Sequence, residues 1–162
     1  EDRKGNGLIL SESITKNTVS AKPEKVSKNW VYDYDECRRV ARDTAKEMHT
    51  KCSTVDEDVG NLSGGNMQKV LLGKWLFADP EILILDEPTR GIDVGAKYEI
   101  YCIINKMVAE GKSVILISSE MPEVLGMSDR IYVMNEGRMV AEMDAKDADQ
   151  EKIMSCIINS GK

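Results

Sequence analysis

The sequence predicts an α/β fold, and three stretches carry that prediction. Ile82–Leu85 is an apolar run without polar alternation, the pattern of a strand buried on both faces of a parallel sheet. Before it, Met67, Val70, Leu71, Trp75 and Leu76 recur at helical spacing. After it, Ile100, Ile103, Ile104, Met107 and Val108 mark a helix over about Val94–Ala109, and Ser113–Ser118 (SVILIS) is a second apolar strand. Strand, helix and strand with short connections predict a right-handed parallel crossover.

Composition narrows the class. A chain of 162 residues suits one domain. A net charge of −6 and a pI near 5.0 argue against a general nucleic-acid binder. Cys37, Cys52, Cys102 and Cys156 are widely spaced without a CxxC. Neither a zinc site nor a disulfide framework is expected, and a reducing, cytosolic compartment fits. No apolar run approaches the ~20 residues needed to span a bilayer, and no signal peptide is visible. The chain starts at Glu1 rather than Met, so a fragment or a processed product is expected.

The elements follow in order. Residues 1–35 are the least regular: Leu8–Leu10 is a short apolar patch, and Ser11–Asn29 is polar with Pro23 breaking any helix. Trp30-Val31-Tyr32-Asp33-Tyr34 is an aromatic cluster that could meet a partner surface, although packing on the next helix is the stronger expectation. That helix carries an apolar stripe of Cys37, Val40, Ala41, Thr44, Ala45 and Met48. Its other face, with Arg38, Arg39, Arg42, Asp43 and Glu47, is solvated, and His49 near its end is a surface residue. Ser63 is the N-cap of a helix running roughly Asn66–Ala78. Gly111 ends the Val94–Ala109 helix. Glu120–Gly126 is a short helix with Pro122 in its first turn. Arg130–Met134 and Arg138–Glu142 are strands joined by Asn135-Glu136-Gly137, a hairpin signal. Gln150–Asn159 is a closing helix with Ile153, Ile157 and Ile158 on one side.

Two places carry chemistry. Asp86 and Glu87 follow the first strand at its C-terminal end, where open α/β sheets keep their ligand sites. Adjacent carboxylates on an emerging strand point apart, so one can hold Mg²⁺ directly or through water while the other orients an attacking water. Ser63-Gly64-Gly65 opens a helix whose bare N–H groups favour an anion. Each alone is weak: an acid pair closes many strands, and Ser-Gly-Gly begins many ordinary helices.

Together, LSGGNMQ, ILILDE and PTRGID in this order resemble the ATP-binding cassette (ABC) ATPases. Leu62–Gln68 is similar to that family's signature loop, Ile82–Asp86 to its Walker B strand, and Gly91–Asp93 to its D-loop. The resemblance runs from Glu1 nearly to Lys162. It implies an incomplete P-loop NTPase (RecA-like) cassette core with an α-helical signature subdomain. Residues 1–80 would be that subdomain, starting near the Q-loop, with Glu1 about at the Q-loop glutamine. Residues 81–162 would be the C-terminal part of the core. The implied cofactors are ATP and Mg²⁺. Ser63, Gly64, Gly65, Asn66 and Gln68 would face the ATP of a partner cassette, with Asp93 in the D-loop. Asp86 would serve Mg²⁺ through water, Glu87 would be the catalytic glutamate, and Ser119 stands at the switch-histidine position.

Two departures from the family pattern matter. No G-x-x-x-x-G-K-S/T phosphate loop occurs, since Lys106 stands where Gly111-Lys112-Ser113 would need its first glycine. The phosphate-loop half is therefore expected to be missing, the chain alone inactive, and sheet edges unpaired and prone to association. Ser119 also lacks an imidazole's charge and reach, which puts hydrolysis at the Glu87 site in question. DEPTRGIDVGAK and ISSEMPEVLGMSDRIYVMNEG resemble the second cassette of tandem-cassette bacterial importers of the ribose, galactose and xylose type. The resemblance implies an ATPase powering sugar import, on the cytoplasmic side of the membrane. Its partners would be a second cassette, transmembrane permease subunits and, indirectly, a sugar-binding protein, with no nucleic acid. An ABC-type ATPase without a membrane partner and a non-enzymatic docking module stay open.

Overall fold

In a computed structural model, which describes residues 3–29 and 31–160, the polar stretch after Leu10 is not irregular. Helix α1 spans Ile14–Val19, between a π-helical turn at Arg3–Gly7 and a 3-10 turn at Pro23–Val26. Polar residues fold here because the backbone receives them. Asn17 is buried; its Oδ1 accepts from Ile9 N at 2.8 Å, and its Nδ2 donates to the carbonyls of Ile9, Glu12 and Ser13. Thr15 Oγ1 donates to Val55 O at 3.0 Å, and Thr18 Oγ1 to Ile14 O at 2.8 Å. A buried polar group with its bonds made costs little, and unmade it costs a great deal.

The described residues form two units. One holds everything up to Leu83 together with Pro88–Ile115; the other holds Ile84–Glu87 and everything from Leu116 on. In the first, strands β1 (Ser27–Lys28) and β2 (Val31–Tyr32) make a short antiparallel hairpin. Helix α2 (Tyr34–Glu47) follows, N-capped by Asp33, and α3 covers Gly64–Ala78. Leu8, Ile14, Ala41, Ala45, Val55, Val59, Leu62, Met67 and Val70 form their core. Strand β3 (Ile82–Asp86), helix α4 (Val94–Ala109) and strand β4 (Ser113–Ile117) come next. Ser113 N donates to Glu81 O and Glu87 N to Ile117 O, each at 2.9 Å. Matching ends pair, so β3 and β4 run parallel. Both strands begin in the first unit and end in the second.

Three expectations need correction. The segment 11–29 contains a helix, as above. The aromatic run does not pack on α2: Val31 is 69% and Tyr34 68% exposed, because the two-residue strands leave no inward face. Trp30 lies outside the described residues. Strands β3 and β4 are not buried on both faces either. Leu83 and Leu85 are buried, but Ile82 and Ile84 are 61% and 64% exposed, and Ile115 and Ile117 are exposed on β4. A continuous apolar run means two covered faces only when something covers both, and here the alternate residues of each strand stay uncovered.

The second unit adds α5 (Met121–Met127), β5 (Arg130–Asn135), β6 (Arg138–Asp144) and α6 (Gln150–Asn159). β5 and β6 pair antiparallel from Arg130↔Asp144 to Asn135↔Arg138, with a bulge between Val133 and Met134. Glu136 and Gly137 both have positive φ (49° and 75°), the backbone of a two-residue hairpin turn. Ile131 and Val133 pack on Ile153 of α6. Asp149 caps α6, its Oδ1 accepting from Lys152 N at 2.8 Å. β3–β4 and β5–β6 are separate two-stranded sheets.

Candidate functional site

The predicted site residues fall into two groups, one in each unit. In the first, Ser63 caps α3, its Oγ accepting from Asn66 N at 3.4 Å and from Asn66 Nδ2 at 3.0 Å. Gly64 and Gly65 are not a loop before the helix but its first two residues. Among the described residues no protein acceptor takes their amide N–H groups, as expected for the first turn of a helix. Asn66 Oδ1 accepts from Lys51 N at 2.9 Å, so its side chain is spent on holding the turn. Gln68 is buried.

Gly65 has a packing reason that the sequence does not display. A Cβ there would come within 2.7 Å of Ala96 Cβ at the start of α4, and 4.0 Å from Asp93 Oδ2. Asp93 caps α4, with Oδ1 accepting from Ala96 N at 2.9 Å. The openings of the two helices thus meet at Gly65, bringing Ser63, Gly64 and Gly65 close to Asp93. Behind them Lys69, a buried cation, donates to His49 O at 2.9 Å and pairs with Glu99. That bond and charge hold the Glu99 carboxyl below its usual range. Sequence reasoning missed Lys69, because a lysine within an amphipathic helix looks like any solvated one.

In the second unit Asp86 is exposed at the end of β3. Glu87 follows with φ +47°, a left-handed conformation unusual for a side-chain-bearing residue. Such backbone costs about 1–2 kcal/mol and persists only where neighbours hold it. Its own N–H goes to Ile117 O, and its Oε1 accepts from Ser119 N at 2.9 Å. The structure therefore brings Glu87 and Ser119 together, through the serine's backbone rather than its hydroxyl. Glu1 lies outside the described residues. No cluster of three or more metal-ligating side chains occurs among the described residues. Asp86 alone fits Mg²⁺ only in the ion's common mode, one carboxylate completed by waters and phosphates.

Comparison with solved structures defines the class first: the fold is similar to that of an ATP-binding cassette. The ATP-binding cassette MJ0796, solved as a dimer in a post-hydrolysis state bound to ADP and Pi, matches with a TM-score of 0.72. That match covers 85% of this chain and 59% of MJ0796 at 22% identity. The cassette MJ1267 matches with a TM-score of 0.74 over 91% of this chain and 63% of its own, at 23% identity. Residues 4–90, more than half of the sequence, match the model of the ABC transporter family, and the chain belongs to that family.

Curated relatives are closer in sequence. The L-arabinose transport ATP-binding protein AraG of Geobacillus stearothermophilus is 54% identical over 95% of this chain and 30% of its own length. The xylose import ATP-binding protein XylG of Geobacillus kaustophilus is 54% identical over 96% of this chain and 31% of its own. The ribose import ATP-binding protein RbsA 1 of Streptomyces avermitilis is 45% identical over 100% of this chain and 31% of its own. The chain thus spans about a third of the length of these relatives.

Proposed function

We propose that this chain is part of the ATP-binding, ATP-hydrolysing subunit that powers import of a sugar through an ABC transporter. Relatives named for arabinose, xylose and ribose support a monosaccharide cargo. The observation that carries the proposal is the opening of α3, where Ser63 caps a turn whose Gly64 and Gly65 amides have no protein acceptor. Bare amides at a helix N-terminus, with the dipole behind them, suit a terminal phosphate. In this proposal the phosphate belongs to ATP held by a partner cassette. Ser63 and the amides of Gly64 and Gly65 orient it, while Asn66, Gln68 and Asp93 hold the loop in place.

Asp86 and Glu87 serve the other nucleotide site of the pair. Mg²⁺ there would supply positive charge to the phosphates, held by Asp86 through water. Glu87 would polarise the attacking water, a role supported by the two bonds, to Ile117 O and from Ser119 N, that hold the residue at the strand end. Ser119 offers that site no second base, so turnover there is slow. Residues 1–80 act as the helical signature subdomain, and the exposed Val31–Tyr34 segment supports contact with a transmembrane permease. Residues 81–162 complete the core. In this proposal the chain lies peripherally at the cytoplasmic face of the membrane, beside the permease, as its transport-protein relatives suggest. A sugar-binding protein would deliver the cargo. With no G-x-x-x-x-G-K-S/T in the sequence, the chain alone does not hydrolyse ATP.

The test is Gly64→Asp in a complete two-cassette subunit reconstituted with its permease. A carboxylate set against the phosphate should lower ATP turnover by about 10²-fold or more, the scale of losing one preorganised donor. Unchanged turnover would sink the role given to this loop.

A further inference from the structure

An open groove of about 610 Å³ lies beside the end of α2, its lining including Arg42, Lys46, His49, Thr50, Ser53 and Thr54. It is on the scale of small-molecule pockets, roughly 300–1,000 Å³. Its charged lining is entirely basic, in a chain of net charge −6. Arg42 and Lys46 are one helical turn apart, so both heads reach the same mouth.

Four nearby carboxylates are paired with other cations, and a fifth, Glu57, stays against the groove wall. Asp56 pairs with Arg38 at 3.0 Å and Asp43 with Arg39 at 3.3 Å. Glu47 pairs with Lys106 at 2.6 Å, and Glu99 with Lys69. Glu57 turns its Oε1 to the amides of Ser53 and Thr54. Among the described residues Arg42 and Lys46 have no ion-pair partner, although Arg38 and Arg39 on the same helix both do. The Thr50 Oγ1 in the wall is buried without a hydrogen-bond partner. A buried hydroxyl without a protein partner beside unpaired cations leaves a polar position open to a ligand or a water.

We infer that this groove binds a small phosphorylated polyol. The phosphate sits against Arg42, Lys46 and the His49 ring, and ligand hydroxyls meet Thr50, Ser53 and Thr54. A guanidinium beside an ammonium suits a phosphate monoester, to which Arg can bond through two N–H groups. The hydroxyl-bearing wall suits the polyol. The lining segment is tied to α3 through Lys51 N, which donates to Asn66 Oδ1, and through His49 O, which accepts from Lys69 Nζ, so a bound metabolite would act on the α2 segment and on the α3 opening beside it.

Calorimetric titration of the chain at fixed ionic strength tests this, with ribose 5-phosphate, ribose, inorganic phosphate and sulfate as probes. Ribose 5-phosphate should bind with a one-to-one stoichiometry, inorganic phosphate and sulfate more weakly, and ribose not at all. Arg42→Ala with Lys46→Ala should weaken ribose 5-phosphate by at least about tenfold, the loss of charge-assisted bonds. Thr50→Ser, which keeps the hydroxyl, should bind more tightly than Thr50→Val. Arg42 and Lys46 are exposed, and unchanged thermal unfolding of the double variant confirms that its fold is intact. The proposal is overturned if ribose 5-phosphate does not bind at millimolar concentration, if sulfate or phosphate binds as tightly, or if the double variant binds unchanged.

Discussion

Gly65→Ala is the sharpest perturbation of the candidate site that leaves its charge untouched. The added methyl would sit 2.7 Å from Ala96 Cβ. Carbon atoms in good contact lie about 3.5–4.0 Å apart, so α3 and α4 would have to separate by roughly 1 Å at their openings, and both partners are Cβ atoms that no rotamer change can move. Overpacking of this kind costs about 1–3 kcal/mol. The gain in helix propensity from replacing glycine offsets about 0.5–1 kcal/mol in a helix interior, and less in a first turn. The net expectation is a loss of about 1–2 kcal/mol, read as a lower urea midpoint at unchanged slope. Ala96→Gly removes the clashing methyl. Combined with Gly65→Ala it should recover most of the loss, a coupling of about 1 kcal/mol or more in a double-mutant cycle. A neutral or stabilised Gly65→Ala, or additive behaviour in the cycle, would refute the claim that these two helix openings touch at Gly65.

Four further outcomes are expected from the same unfolding measurement. Gly73→Ala places a methyl 2.6 Å from Thr44 Cγ2 and should cost about 1–2 kcal/mol, with relief from Thr44→Ser, which removes that methyl. Asn17→Ala leaves Ile9 N without its acceptor, while the carbonyls of Ile9, Glu12 and Ser13 keep the backbone donors Glu12 N, Val59 N and residue 17 N, and should cost about 1–2 kcal/mol; a loss under half of that would mean water replaces the amide oxygen. Glu99→Gln leaves the buried Lys69 ammonium without its counter-charge. It should cost about 1 kcal/mol, less than a fully buried pair because Glu99 is half-exposed. The Glu99 and Asp79 carboxyls are held low, by Lys69 and by Lys112 respectively. Groups depressed in the folded state stabilise it above the ordinary carboxylate range, and that stability is lost as pH falls through their lowered values. The urea midpoint should therefore drop on acidification below about pH 4, and drop less in Glu99→Gln; equal drops would remove Glu99 from the account.

The elements legible in the sequence were those whose signals are local. Helix α4 and helix α6 start and stop where their apolar spacing and caps place them, and the Asn135–Gly137 turn forms with both central φ values positive. The candidate site was legible as motifs: Ser63 caps α3, and Glu87 leaves the end of β3. Features that depend on long-range partners were hidden. Helix α1 owes its polar residues to carbonyls elsewhere, such as Val55 O for Thr15. Lys69 is buried only because His49 O and Glu99 receive it. Gly65 looked like room for a ligand, but its lack of a side chain also admits Ala96. The apolar runs of β3 and β4 promised two covered faces. A run of isoleucines records what a strand can bury, and whether a face is covered depends on neighbours that the run does not encode.

In the function proposed above, the α3 opening faces nucleotide held by another cassette, and the chain does not itself cradle ATP. Calorimetric titration of Mg²⁺–ATP into the Arg42→Ala/Lys46→Ala variant tests this most directly, because the basic groove beside α2 is then disabled. No stoichiometric binding at millimolar nucleotide is the result expected. Clear one-to-one binding would contradict it, and would place a complete phosphate site within these residues.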